Sequence, residues 1–224
     1  MNLTKSYDFF QPEKVSERIH IIGCGAVGST IAELLARAGL TKITLYDFDK
    51  VEAHNIANQM FFADDIGKPK VEAVKNLILR INPDAESGVR VEPEGYKGQR
   101  LSGYVFLAVD NIDLRRELCE KERNNKYIKA VFDVRIRLED AQHYAADWKD
   151  KQMVENMIAS MQFTHEEAVE ATPRGACNQE LSIAPTVRNI CNNAVANFMN
   201  FVKGRPLKKV ILMNSFEFFM DAFA

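Results

Sequence analysis

Apolar residues along the chain alternate between two periods, and the changes of period lay out a βαβ order. Arg18 to Ile22 is a short β-branched run that stops at Gly23-Cys24-Gly25-Ala26-Val27-Gly28. Beyond it apolar positions recur at helical spacing through Ala38. Gly39 ends that helix, and Lys42 to Tyr46 is a second apolar run that finishes in Asp47-Phe48-Asp49. Further on, Pro69 suits a first helical turn, and Val71, Val74, Leu77, Ile78 and Ile81 form a stripe closed by Asn82-Pro83. Val89 to Val91 reads as a short strand and Tyr104 to Val109 as a stronger one. Asp110-Asn111 and a charged helix to about Asn124 follow.

Tyr127 to Val134 is a further strand, and Gln142 to Trp148 reads as its partner across the polar turn at Glu139-Asp140, so the sheet is expected to turn antiparallel there. Asp150 to Ala176 is polar and helix-prone, which predicts an excursion or flexible flap, a mobile segment around 150–176. Pro185 to Val202 carries Val187, Ile190, Cys191, Ala194, Val195, Phe198 and Val202 on one helical face, with Gly204 as a stop. Lys209 to Leu212 and Phe216 to Phe219 are expected to close the sheet. With no repeat or linker, 1–224 reads as a single α/β domain. A right-handed βαβ unit makes a parallel sheet whose strand ends collect ligands, so chemistry is expected after strands one, two and four.

Composition removes several classes. Hydrophobic residues at 46% and charged residues at 27% describe an ordinary globular chain. The 29 Lys and Arg against 31 Asp and Glu leave a charge of −2, which gives no footprint for a general nucleic-acid binder. Met1 to Val15 has no secretory pattern and no apolar run approaches the roughly 20 residues of a membrane span, so the chain reads as cytoplasmic. Cys24, Cys119, Cys177 and Cys191 include no Cys-x-x-Cys pair, so reduced thiols and no zinc are expected. His20, His54, His143 and His165 are scattered, and none is assigned a catalytic role.

Gly23 to Gly28 fits Gly-x-Gly-x-x-Gly between a strand and a helix, where absent side chains let phosphate reach backbone N–H groups. The same glycines also suit a tight turn with close packing alone. Asp47 stands about 20 residues on, where a carboxylate can accept hydrogen bonds from a ribose, so a dinucleotide and ATP both remain open.

The next segment, Asp47-Phe48-Asp49-Lys50-Val51-Glu52-Ala53-His54-Asn55-Ile56-Ala57-Asn58-Gln59, resembles the Asp-x-Asp-x-Val-x-x-x-Asn-Leu-x-Arg-Gln signature of the ThiF, MoeB and HesA family, the adenylating superfamily that includes ubiquitin-activating enzymes. Asp65-Ile66-Gly67-Lys68-Pro69-Lys70 is similar to its Gly-x-x-Lys step, and Asp110-Asn111-Ile112-Asp113-Leu114-Arg115 to its Asp-Asn-x-x-x-Arg step. The resemblance covers about Arg18 to Arg135. It implies a Rossmann-like, mostly parallel twisted sheet with helices on both faces and an antiparallel C-terminal extension.

It also implies ATP and Mg²⁺ as cofactors, adenylation of the C-terminal carboxylate of a ubiquitin-like or sulfur-carrier protein, and a homodimer. Gly23, Gly25, Ala26, Gly28, Asp47, Asp49, Asn55, Asn58, Gln59 and Asn111 would line the nucleotide. Lys70 would sit on the triphosphate and Asp110 would hold Mg²⁺. Read without the resemblance, Lys70 suits a solvated cation and Asp110 a helix cap. Asn55 could bind nucleotide or hold its loop.

Asn58 departs from the signature, which has arginine there, and asparagine forfeits a charge-assisted contact. Lys5 is a weak stand-in for a further N-terminal arginine of the family, and Lys14, Lys68, Arg135 or Arg137 could turn toward the phosphates instead. Cys177, in Pro173-Arg174-Gly175-Ala176-Cys177-Asn178, is the candidate thioester nucleophile, with an incidental cysteine as the alternative. Arg135 and Arg137 share a strand face that suits either an acyl-acceptor groove or a salt-bridged sheet. Two other functions stay open: a non-catalytic ATP-binding scaffold or regulatory partner, and an NAD-dependent oxidoreductase.

Overall fold

A computed structural model describes residues 1–171 and 181–224. One eight-stranded sheet runs in the order β3-β2-β1-β4-β5-β6-β7-β8. Its strands are β1 (Ile19–Ile22), β2 (Ile43–Tyr46), β3 (Arg90–Glu92), β4 (Gly103–Leu107), β5 (Ile128–Arg137), β6 (Asp140–Asp147), β7 (Val210–Asn214) and β8 (Phe219–Phe223). The first five are parallel and the last three antiparallel, as expected for a Rossmann-like sheet with an antiparallel extension.

Successive residues on the strands point to opposite faces, and each face has its own core. Ile21, Phe106 and Phe132 pack under α1 (Ala26–Arg37), α2 (Lys70–Ile81) and α6 (Ala184–Val202). Ile22, Leu107 and Val131 pack under α3 (Ile112–Glu122) and α4 (Lys151–Ala159). The 150–176 stretch thus contains α4, whose Val154, Met157 and Ile158 are buried, and α5 (His165–Ala171). None of the helices among the described residues is long and apolar enough to cross a membrane.

The last strand lies beyond its expected position at Phe216 to Phe219. Asn214 Oδ1 accepts from the N–H groups of Phe216 at 3.0 Å and Glu217 at 2.9 Å, which makes a turn of those residues and delays the strand to Phe219. On the far face, His143 locks β5 and β6 to α6. Its Nδ1 meets the Asp133 carbonyl at 3.0 Å and its Nε2 meets Asn197 Nδ2 at 3.1 Å. Burial lowers the His143 pKa to about 4, so the ring is neutral in the fold.

Two approaches fix the C-terminal edge of the parallel strands. Gly23, at φ 97°, lies so close to β4 that a Cβ there would stand 2.7 Å from the Ala108 carbonyl. A Cβ on Gly28 would stand 1.9 Å from the Gly23 oxygen. Gly28→Ala is therefore expected to cost about 3 kcal/mol or more through backbone displacement. Gly67→Ala, at φ 87° with open space around it, should cost only about 1–2 kcal/mol of strain. Equilibrium urea unfolding of both variants checks this, and equal losses would contradict it.

Candidate functional site

The edge so defined opens into a cleft of about 750 Å³. Its inner end lies at the termini of β1, β2 and β4, and its outer end runs along the open face of β5 to β8. Gly23, Gly25, Ala26, Asp47, Asp49, Gln59, Lys70 and Asp110 all line it. Residues separated by up to 87 positions in the chain thus meet where a parallel sheet collects its ligands.

Asp47 closes the inner end. Its Oδ2 accepts from the Cys24 N–H at 2.6 Å and its Oδ1 from the Asp49 N–H at 2.8 Å. Burial raises the carboxyl above its ordinary pKa, against the lowering effect of those two donors and of Lys70. Each oxygen keeps a lone pair, so a ligand hydroxyl can still be bound. Because Asp47 takes the Cys24 N–H, the backbone donors left for an anion are those of the first turn of α1, which have no intrahelical partner.

Lys70 opens α2 with its side chain buried, and Nζ donates to Asp49 Oδ2 at 2.7 Å. The Lys70 N–H also donates to the Asp49 carbonyl, at 2.9 Å. Asp49 is half-exposed, so an anion entering the cleft would compete with its carboxylate for the ammonium. Gln59 Oε1 is buried with no partner among the described residues, 4.0 Å from where a Cβ on Gly25 would stand. A buried acceptor without a donor is costly, and it faces the glycine turn.

Four expected ligand residues do structural work outside the cleft. Gly28 packs on the turn. Asn55 is buried, and its Oδ1 accepts from Glu52 N–H at 2.9 Å while its carbonyl accepts from Gln59 N–H at 2.9 Å. It holds the loop. Asn58 Nδ2 reaches the Ser182 carbonyl at 3.5 Å. Asn111 caps α3, accepting from Leu114 N–H at 3.0 Å. Asp110, just before that cap, is exposed on the cleft wall. Among the described residues no group of three or more His, Cys, Asp or Glu side chains could hold a metal ion.

The buried centre of the outer wall is Asp133, which is fully enclosed. Arg115 binds its Oδ1 and also the carbonyls of Val109 and Val134. Arg135 Nε donates to Oδ2 at 2.6 Å, and its other nitrogens hold Ser160. Burial alone would raise the Asp133 carboxyl, but the two guanidinium groups outweigh it and hold the pKa below the ordinary range. Arg135 is thus salt-bridged, while Arg137 is exposed in the cleft wall.

Neither period nor motif points to Phe163 and His165, which line the outer end. Arg116 donates to the carbonyls of Met161 at 3.0 Å and Phe163 at 3.2 Å, and Asp113, itself bonded to Arg116, accepts from the His165 N–H at 3.3 Å. The thiols of Cys24, Cys119 and Cys191 are all buried, and burial pushes each well up, so none suits a nucleophile. Cys177 lies outside the described residues.

A family model described as the ThiF family matches residues 10–219. Ubiquitin-like modifier-activating enzyme 5 of Drosophila persimilis is 36% identical over 113 residues, or 50% of this chain and 25% of that protein. The same enzyme of Drosophila simulans is 40% identical over 154 residues, covering 58% and 36%. E. coli MccB crystallised with ATP superposes with a TM-score of 0.71 at 19% identity, over 94% of this chain and 64% of that one. PaaA does so at 0.67 and 18%, over 94% and 65%. At such identities these structures speak for the fold alone. The chain spans between 25% and 36% of the length of these enzymes and just under two thirds of the solved chains.

Asp133→Asn removes the charge that both guanidinium groups face. A loss of about 3–5 kcal/mol is expected, read as a fall in Tm of roughly 10 °C. Calorimetric unfolding showing a fall under about 3 °C would mean that the cluster is not what holds the outer wall.

Proposed function

The chain belongs to the ThiF family, and from that premise we propose that it binds ATP·Mg²⁺ in the cleft and activates the C-terminal carboxylate of a ubiquitin-like or sulfur-carrier protein. A carboxylate oxygen of the donor forms a bond to the α-phosphorus, the bond to the bridging α,β oxygen breaks, and pyrophosphate leaves. The observation that carries this reading is the convergence of the α1 N-terminus, Asp47, Gln59 and Lys70 at the edge of the parallel strands.

Each group has a part that its chemistry supports. Asp47 takes the ribose hydroxyls on its remaining lone pairs. Lys70 transfers its ammonium from Asp49 to phosphate, as a compact point charge suits. Asp110 would hold Mg²⁺ through its carboxylate, a hard oxygen donor of the kind Mg²⁺ prefers; the ion would neutralise phosphate charge. Beyond this, the protein holds two reactants in line, and positioning alone removes a large part of the barrier.

Of the four cysteines of this chain, Cys177 is the one proposed for a thioester step, since the thiols of Cys24, Cys119 and Cys191 are buried. The same resemblance supports a homodimer. A second reading, an ATP-binding partner without catalysis, is favoured by Asn58, which stands where the family signature has arginine and is bonded to the Ser182 carbonyl.

ATP–pyrophosphate exchange with purified ubiquitin-like donors separates the two. Donor-dependent exchange is expected, falling at least about 100-fold in Asp110→Ala and in Lys70→Ala. ATP binding without exchange under any donor would select the non-catalytic partner. Binding of NAD in preference to ATP would defeat both.

A further inference from the structure

A polyphosphate in this cleft meets an excess of carboxylates, because Asp47, Asp49 and Asp110 line the inner end beside the single ammonium of Lys70. A divalent ion offsets part of that excess. A charge-assisted contact from protein would add to it, and a guanidinium is the group best matched to phosphate. The residue that should supply it can be found by asking which cation is already committed.

Among the described residues, four permanently charged cations line the cleft: Lys70, Arg115, Arg135 and Arg137. Lys70 is held by Asp49. Arg115 is buried against Asp133 and two carbonyls. Arg135 is spent on Asp133 and Ser160, with its guanidinium 4.3 Å from the centre of the Tyr144 ring. Lys14 does not line the cleft, and Lys68 is paired with Asp65 at 3.0 Å beside a different cavity. Arg137 alone is exposed, with a side chain that makes no hydrogen bond or ion pair to a described residue.

Its position is the tip of the β5–β6 hairpin, beside the Asn58 loop. β5 runs past the end of β4, whose Leu107 is opposite Asp133, so residues 134–137 stand above the floor of the cleft. The next residue, Leu138, forms an isolated parallel bridge with Ser182. The Ser182 carbonyl in turn accepts from Asn58 Nδ2, and the neighbouring Gln59 lines the cleft at the glycine turn. The hairpin tip and the Asn58 loop therefore meet at one residue, which puts positions 137 and 58 on neighbouring segments.

We infer that Arg137 is the phosphate-binding guanidinium of this site, supplying from the β5–β6 hairpin the positive charge that Asn58 cannot supply from its loop. The inference rests on the ATP reading above and deepens it. Because the contact is to the polyphosphate, it acts on ATP and leaves the adenosine part untouched.

Calorimetric titration of the whole chain with ATP·Mg²⁺ and separately with adenosine tests it, in the native protein, Arg137→Ala, Arg137→Lys and Asn58→Arg/Arg137→Ala. Arg137→Ala is expected to weaken ATP by about 10- to 100-fold and adenosine by less than about twofold, with Arg137→Lys intermediate and Asn58→Arg restoring most of the loss. Unchanged ATP affinity in Arg137→Ala, equal weakening of both ligands, or no recovery from Asn58→Arg would each overturn the inference while leaving ATP binding in place. Failure of the native protein to bind ATP at all would instead sink the reading on which it rests.

Discussion

At Gly23 the chain passes so close to Ala108 that no β-carbon fits, and at Gly28 the first turn of α1 is pressed just as tightly onto Gly23. Those two contacts set the distance between the end of β1, the end of β4 and the N-terminus of α1. The cleft inherits its floor from them. Asp47 completes the arrangement by tying the end of β2 to the same turn through Cys24. The cleft is thus a product of backbone packing, with side chains added at positions the backbone has already defined.

The outer wall depends on charge instead. Asp133 is buried beneath two guanidinium groups that its register brings from α3 and from two residues along β5. Their desolvation is offset by mutual attraction and by three carbonyl acceptors, a balance that holds only while every partner is present. The arrangement uses up Arg115 and Arg135, and it is this that distinguishes Arg137, two residues farther on, as the cleft-lining cation without a side-chain partner among the described residues.

The inner end was legible in the sequence because its geometry is local. A glycine turn between a strand and a helix, an acid at the end of the next strand, and a lysine at the start of α2 each announce themselves within a few residues, and Asp47 and Lys70 stand in the cleft as expected. Asn55 and Asn111 match the same motifs, yet they serve the backbone of their own loops. A pattern of residue types cannot tell a ligand from a cap, because amide groups do both. The outer end was hidden because it is made by distant pairings. Asn58 and Ser182 lie 124 residues apart, and Arg116 reaches 45 residues to Met161 and 47 to Phe163. Only the expectation that Arg135 and Arg137 share a face, drawn from strand period, gave any sign of that wall.

The proposed site seats the phosphates of ATP on the first turn of α1 with Lys70 turned to them. The most direct measurement is the structure of the complex with a non-hydrolysable ATP analogue and Mg²⁺. The account predicts a ribose on Asp47, phosphate oxygens against the backbone N–H groups at Gly25 and Ala26, and Lys70 Nζ released from Asp49 or shared with it. A nucleotide seated elsewhere, or phosphates that leave the Lys70–Asp49 pair closed and the helix terminus bare, would contradict it.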